Sequence, residues 1–302
     1  MFEAADAVRL ATPLVGEVAA VTHEGAGWDH VAWRVETADG APWIVRAASL
    51  LEAGDDDVGD AALEVAVMQL ARTALGDLVA DAVVVDASLG AIAHPRVPGE
   101  ALQGFVASGS VPADELARLA GEIGGFVGTI GGLAPERVGV PVPVDGDGFA
   151  AWFAELGTWL DEIVDLLTAD EVRAVERFVA MPPPPDAAPG ELVLAHNDLG
   201  AEHVLVDPGT WQVTGIIDWS DAAVADPAAE AGRLLRDLGP AQLDAVLDGM
   251  GVAGGRRAGV TARAWTYARC LVLEDLAYAR RHRVHMVPAE LASLRTLFGQ
   301  LR

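Results

Sequence analysis

Apolar and polar positions change rhythm near residue 100. Before that point, apolar runs of a few residues recur between turn residues. Segments 18–22, 31–37, 43–47, 82–86 and 91–94 each read as a strand, bounded by Gly, Pro, Asp or Ser. A stretch over 5–20 with Ala, Val and Leu at near-helical spacing reads as a leading helix or strand. Residues 24–28 read as a glycine loop and 38–40 as a turn. A helix begins near Gly59, with Ala62, Val65, Met68, Leu70 and Ala71 as its apolar stripe. The acidic run 52–60 ahead of it reads as a mobile surface loop.

From 111 onward the period is helical. Segment 111–133 buries Leu116, Leu119, Ile123, Phe126, Val127 and Ile130. Segment 149–167 turns Trp152, Phe153, Leu156, Leu160 and Ile163 inward, and 170–179 follows with Thr168 as its cap. The Trp and Phe stripes read as core. Pro/Gly-rich 134–148 is a loop, and the four prolines of 182–185 open a stiff connector. Three short apolar runs, 192–195, 204–206 and 213–217, then read as strands, with a hairpin turn at Asp207-Pro208-Gly209-Thr210. Helices return at 228–238, 241–250, 260–283 and 288–301, with 251–259 as a glycine-rich connector. Between the two rhythms Pro95 and Pro98 impose an extended hinge. Arg280, Arg281 and Arg283 stand at a helix end, where cations suit the dipole.

Composition narrows the function classes. At 302 residues and 52% apolar the chain has material for one large or two ordinary domains. No apolar run approaches the ~18 residues of a membrane span, and no charged-then-apolar leader opens the chain. The single cysteine, Cys270, excludes an intramolecular disulfide framework and a cysteine-built zinc site. A cytoplasmic protein is expected. The net charge of −25 argues against a nucleic-acid partner and suits a cationic one. All 20 basic residues are arginine, so a phosphate clamp must be arginine or backbone.

The chemistry gathers in 191–227. Asp198 ends one strand and Asp218 another, twenty residues apart, with His203 between them. Two carboxylates at strand ends can converge on one metal–phosphate cluster, one orienting a hydroxyl and the other holding metal. His196-Asn197-Asp198, His203 and Ile217-Asp218-Trp219, followed by Asp226-Pro227, resemble the catalytic loop and metal motif of the aminoglycoside and macrolide phosphotransferases.

That resemblance implies a protein-kinase-like α/β (α+β) fold of two lobes. The nucleotide-binding lobe would span 1–97 including the hinge, and the helical catalytic lobe 98–302. It implies Asp198 as the catalytic carboxylate, and His203 and Asp218 at Mg²⁺. Arg46 stands where these kinases usually carry lysine, and would reach the nucleotide phosphates with Glu64 as its partner. Gly25 and Gly27 would let backbone approach phosphate. The Pro95 carbonyl and Val97 amide would meet the base of ATP or GTP. Asp221, Glu274 and Asp275 would meet an ammonium group of the acceptor. Two positions depart from the usual family pattern: Asn197 replaces a glycine, and His203 an asparagine. The expected activity is phosphoryl transfer to a hydroxyl of a small acceptor, an aminoglycoside first and a macrolide second. A metabolic small-molecule kinase or a nucleotide-binding pseudokinase is the alternative.

Overall fold

The structure is a computed structural model describing residues 2–26, 30–48, 60–146 and 148–299. In chain order it begins with α1 (Ala4–Val15), β1 (Val18–Ala26), β2 (His30–Thr37), β3 (Pro42–Ala48), α2 (Ala61–Leu75), β4 (Val83–Asp86) and β5 (Ala91–Pro95). There follow β6 (Glu100–Ala101), α3 (Leu102–Ala107), α4 (Ala113–Gly131), α5 (Gly148–Ile163), α6 (Ala169–Val179) and β7 (Val193–Ala195). The last are β8 (Val204–Val206), β9 (Val213–Ile216), β10 (Ala223–Ala225), α7 (Pro227–Leu238), α8 (Leu243–Gly249), α9 (Gly255–His282) and α10 (Val287–Phe298). The chain divides into two units. One comprises Met1–Glu100, Ala134–Val142 and Leu205–Ala222; the other Ala101–Leu133, Pro143–Val204 and Ala223–Arg302.

In the first unit an antiparallel sheet runs in the order β1-β2-β3-β5-β4. The leading segment is a helix, because Ala7, Leu10 and Ala11 recur at i, i+3 and i+4. They pack on Val35, Val45, Ala47, Ala91 and Ala93 of the sheet. β3 is buried without a break from Ile44 to Ala48. β1 continues through Gly25, which pairs with Ala32 beyond a register shift after His23, so the loop expected at 24–28 starts later. Gly27 and Trp28 lie outside the described residues, as does the acidic run 52–60 apart from Asp60. Asp60 caps α2, its Oδ1 accepting from the amides of Ala62 (3.0 Å) and Leu63 (3.1 Å). α2 buries Leu63, Glu64 and Val67 beside the expected stripe, while Ala62 is exposed. The turn after β8 forms as expected, with Asp207 Oδ1 accepting from Gly209 N (2.8 Å) and Thr210 N (2.9 Å).

The second unit is helical around one short strand pair, β7 with β10. Helix α7 packs on α9, α4 on α8, and both α5 and α10 on α9. A Cβ at Gly232 of α7 would stand 2.6 Å from Tyr267 Cβ and 3.0 Å from the Ala264 carbonyl. The missing side chain is what lets α7 approach α9. α9 starts at Gly255, inside the stretch expected to be a glycine-rich connector. Its first turn is held by Arg257, which pairs with Asp244 (2.7 Å) and Asp248 (2.5 Å). At the other end Arg280 is bonded to Asp165 and Arg281 to Glu162 (3.3 Å). Among the described residues no helix is long and apolar enough to cross a membrane.

Candidate active site

The residues singled out in the sequence form two sets, one in each unit. In the first unit Arg46 lies on buried β3 and is 7% exposed. Its guanidinium is bonded to Glu64 of α2, and its Nη1 donates to Asp218 Oδ1 at 3.1 Å. Burial pushes the Glu64 carboxyl above its ordinary range, against the pull of Arg46. Burial and Arg46 together lower His30 to about 4, so its ring is neutral near Arg46. Asp218 follows β9 with φ +64°. The buried indole of Trp219 donates to the Ile216 carbonyl at 3.2 Å and anchors the turn that presents it. Ser220 Oγ lies 3.1 Å from an oxygen of Asp218 and 3.1 Å from one of the exposed Asp221.

The Pro-rich segment after β5 is fixed at several points. Burial lowers the His94 imidazole to about 4, and the neutral ring places Nδ1 2.9 Å from the Pro95 carbonyl. Arg96 N donates to Pro42 O (2.9 Å), and Thr214 Oγ1 to Pro98 O (2.6 Å). Gly99 adopts φ +112°, and a Cβ there would collide with the Thr214 hydroxyl. The Val97 amide has no hydrogen-bond partner among the described residues.

In the second unit β7 delivers His196-Asn197-Asp198. Asn197 holds φ +67°, a left-handed turn that Asn tolerates better than most side chains. Buried Glu230 of α7 fastens this turn, accepting from the amides of Asn197 and Leu199 (3.3 Å to the latter). Burial raises its carboxyl, while Arg233 and those amides pull it back. The Asp198 amide donates to His196 Nδ1 at 3.3 Å. Arg233 Nε donates to Asp198 Oδ1 at 3.1 Å. His203 Nδ1 lies 2.6 Å from the Asp198 carbonyl and 3.5 Å from its carboxylate. The Asn197 side chain donates through Nδ2 to Asp145 Oδ2 at 3.1 Å.

A small pocket, with about 30 Å³ of free space, adjoins this loop, lined by Asp145, Trp152, Asp226, Arg233 and Tyr267 among others. Trp152 and Tyr267 meet edge to face, with ring centres 6.1 Å apart. Asp226 is already engaged by Arg263 (2.7 and 3.2 Å) and the Ala228 amide. Burial, then Asp226, Asp145 and Asp186, push the Tyr267 phenol well above its ordinary range, so its hydroxyl stays protonated in an acidic surround. Further along, Arg236 binds Asp237 (2.6 Å), Asp275 (2.7 Å) and Glu202 (3.3 Å). Asp275 is thus tied to an internal cation. Burial and Asp275 push neighbouring Glu274 up to about 7.

The phosphotransferase enzyme family model matches residues 22–270, most of the chain. The chain belongs to the phosphotransferase enzyme family. Over 99% of both chains its fold is similar to the GDP and kanamycin complex of APH(2")-IIIa, with a TM-score of 0.69 and 19% identity. It is similar to macrolide 2'-phosphotransferase MphH from Brachybacterium faecium over 96% of this chain and 97% of that one (TM-score 0.62, 22% identity). At such identities the likeness is one of fold. An aminoglycoside 3'-phosphotransferase of Streptomyces fradiae is 46% identical over 48 residues, 16% of this chain and 18% of that protein. The curated relatives are matched over about a fifth of their own length, 22% and 18%. The mixed α/β fold expected from the sequence, strand-rich at the N-terminal end and helical after it, is the fold the chain adopts.

Among the described residues no three His, Cys, Asp or Glu side chains form a metal cage. Mg²⁺ rarely uses one; it takes a carboxylate or two and completes its shell with phosphate and water oxygens. The hard carboxylate of Asp218 fits that chemistry. His203, a nitrogen donor with Nδ1 on Asp198, fits it less well. Glu230, Arg233, Asp145 and Tyr267 went unmarked in the sequence. The available signal was the spacing Asp226, Glu230, Arg233, which puts three charges on one side of a helix otherwise rich in Ala and Leu.

Proposed function

We propose that this protein is a small-molecule kinase that moves the γ-phosphoryl group of ATP or GTP to a hydroxyl of an amino-sugar antibiotic, an aminoglycoside first. The observation that carries this reading is Asp198. It sits on a turn locked by Glu230, has its carboxylate held by Arg233, and adjoins a cavity with aromatic and acidic walls. The relative solved with GDP and kanamycin supports a guanine donor and an aminoglycoside acceptor. The net charge of −25 favours approach of such a cation. Nucleoside triphosphates are supplied in the cytoplasm, the location this reading implies.

In this reaction Asp198 orients the acceptor hydroxyl and takes up its proton as the oxygen closes on the γ-phosphorus. The bond from that phosphorus to the bridging oxygen breaks, and the nucleoside diphosphate leaves. Asp218 offers its carboxylate to Mg²⁺, which when bound supplies positive charge against the phosphoryl oxygens. Arg46 exchanges Asp218 for the α- and β-phosphates while Glu64 keeps its hold. His203 steadies Asp198 through its carbonyl, and any contact of this ring with metal is secondary. Gly25 lets β1 lie close to the phosphates. The Pro95 carbonyl and the unengaged Val97 amide take the base. Of the three acids considered for the acceptor, Asp275 is taken up by Arg236; Glu274 and Asp221 are kept as candidates for an ammonium group, with Asp145 added. The reading requires Asp198 and Asp218 to serve one bound triphosphate.

The test is an assay of kanamycin, erythromycin and ethanolamine, each with ATP and with GTP in the presence of Mg²⁺. Asp198→Asn is expected to leave nucleotide affinity nearly intact and to lower kcat by about 10²- to 10⁴-fold. Full turnover in that variant removes Asp198 from the mechanism. A macrolide acceptor is the second reading, favoured by the Trp152 and Tyr267 walls, which suit a sugar carried on an apolar body. Nucleotide binding without turnover on all three acceptors supports a pseudokinase instead.

A further inference from the structure

Arg233 is a half-buried cation with most of its donors unused. Its side chain is 14% exposed and lines the cavity beside the catalytic loop. Nε donates to Asp198 Oδ1 at 3.1 Å, and neither terminal nitrogen has a hydrogen-bond partner among the described residues. A guanidinium presents five N–H donors in one plane. One is engaged, and the four on the terminal nitrogens are left to the cavity. A purely structural arginine is not needed here, because Glu230 already holds two amides of the turn and His203 meets the Asp198 carbonyl. The other walls complement it. Asp145 lies at the cavity with one oxygen on Asn197, and Trp152 and Tyr267 offer ring surface.

We propose that Arg233 joins the acceptor to the catalytic carboxylate: Nε fixes Asp198 Oδ1, and the terminal nitrogens donate to oxygens of a hydroxyl-bearing ring seated at the mouth of this pocket. The oxygen next to the phosphorylated hydroxyl is the natural recipient, since a planar fork that holds the carboxylate at one edge reaches the neighbouring position with the other. An amino group on the same ring faces Asp145, and the ring's carbon face lies on Trp152. The ligand class is therefore an amino sugar or aminocyclitol with vicinal oxygen substituents. This inference rests on the kinase reading above and names the residue by which that site recognises its acceptor.

The test compares wild type, Arg233→Gln and Arg233→Lys on kanamycin, erythromycin and ethanolamine, with acceptor and donor kinetics measured separately. On kanamycin or erythromycin, Arg233→Gln is expected to raise the acceptor KM about tenfold and to lower kcat by about 10- to 100-fold, with the nucleotide KM unchanged. Arg233→Lys restores part of kcat through its charge but leaves the acceptor KM high, because one ammonium cannot hold two partners in a fork. On ethanolamine, which has no ring oxygen to offer, the acceptor KM does not change. Wild-type kinetics in Arg233→Gln overturn the proposal. So does a loss of kcat with every KM unchanged and no gain from lysine, the pattern of a merely structural ion pair. A wild-type enzyme inactive on all three acceptors sinks the kinase reading itself, a different outcome from either.

Discussion

Asn197 and Asp218 hold φ of +67° and +64°, and each stands at a point where the proposed chemistry needs a sharp turn out of a strand. Left-handed backbone costs an ordinary side chain about 1–3 kcal/mol, and Asn and Asp bear it best. The resemblance has glycine at the Asn197 position, and the torsion explains the exchange: only a glycine or a residue like Asn sits there without strain. Asn197→Gly is therefore expected to keep kcat within about threefold of wild type. Asn197→Val is expected to lose about 1–3 kcal/mol of stability by urea denaturation, together with most of its activity. A valine variant as stable and active as the parent would remove strain from the account of this loop. Asp198, His203 and Asp218 could be picked from the sequence because they flank short strands in the spacing of the resembled motif. Arg233 could not, because an arginine on a helix gives no sign of which neighbour it meets.

At the scale of elements, α7 organises the second unit's half of the site. One helix supplies the Asp226 cap, the Glu230 fastening of the catalytic turn, the Arg233 hold on Asp198 and the Arg236 cluster. Its existence over 228–238 was legible from the apolar period, and its start at Pro227 matches the preference of proline for a first turn. The role of its charged residues was hidden. A polar stripe on one helix looks solvated until another element is packed over it, and that packing depends on contacts far apart in the chain. β1 and α9 ran past their expected ends for the same reason: partners on β2, and Asp244 and Asp248, outweigh the local preference of glycine. Gly232→Ala tests the closeness of α7 and α9. Alanine gains about 1 kcal/mol of helix propensity over glycine. The new methyl, 2.6 Å from Tyr267 Cβ and 3.0 Å from the Ala264 carbonyl, brings overpacking of about 1–3 kcal/mol. The second effect is expected to prevail. A lower denaturation midpoint and a reduced kcat are expected, from displacement of Glu230 and Arg233 together; a higher midpoint would mean the helices yield freely.

Across the whole molecule, the change of rhythm near residue 100 and the acidic balance were plain in the sequence. Strand order and buried charge were not, since both come from non-local pairing. Buried titratable groups give the stability two opposing dependences on pH. His30 and His94 are lowered to about 4, by burial first, from an ordinary 6.5. As pH falls from about 6.5 toward 4, the unfolded chain binds protons that these folded rings refuse, so they withdraw stability on the acid side. Glu274 and Glu290 are raised to about 7, again by burial first and then by Asp275. As pH rises from about 4.5 through 7 the unfolded chain releases protons that these folded carboxyls retain, so their contribution is full below 4.5 and lost above 7. Over the shared window the slopes oppose each other, and Glu202, also raised to about 7, adds to the carboxyl side, so the histidines offset only part of it. Glu274→Gln removes one carboxyl from that balance without touching the histidines. Urea denaturation at a series of pH values should then find the variant gaining on the wild type as pH rises from about 4.5 to 7, with the difference constant outside that range. A difference independent of pH throughout would mean that Glu274 is ionised in the folded protein as freely as in the unfolded chain. In that case its carboxylate, charged at every working pH, would be as available to an ammonium group of the acceptor as that of Asp145.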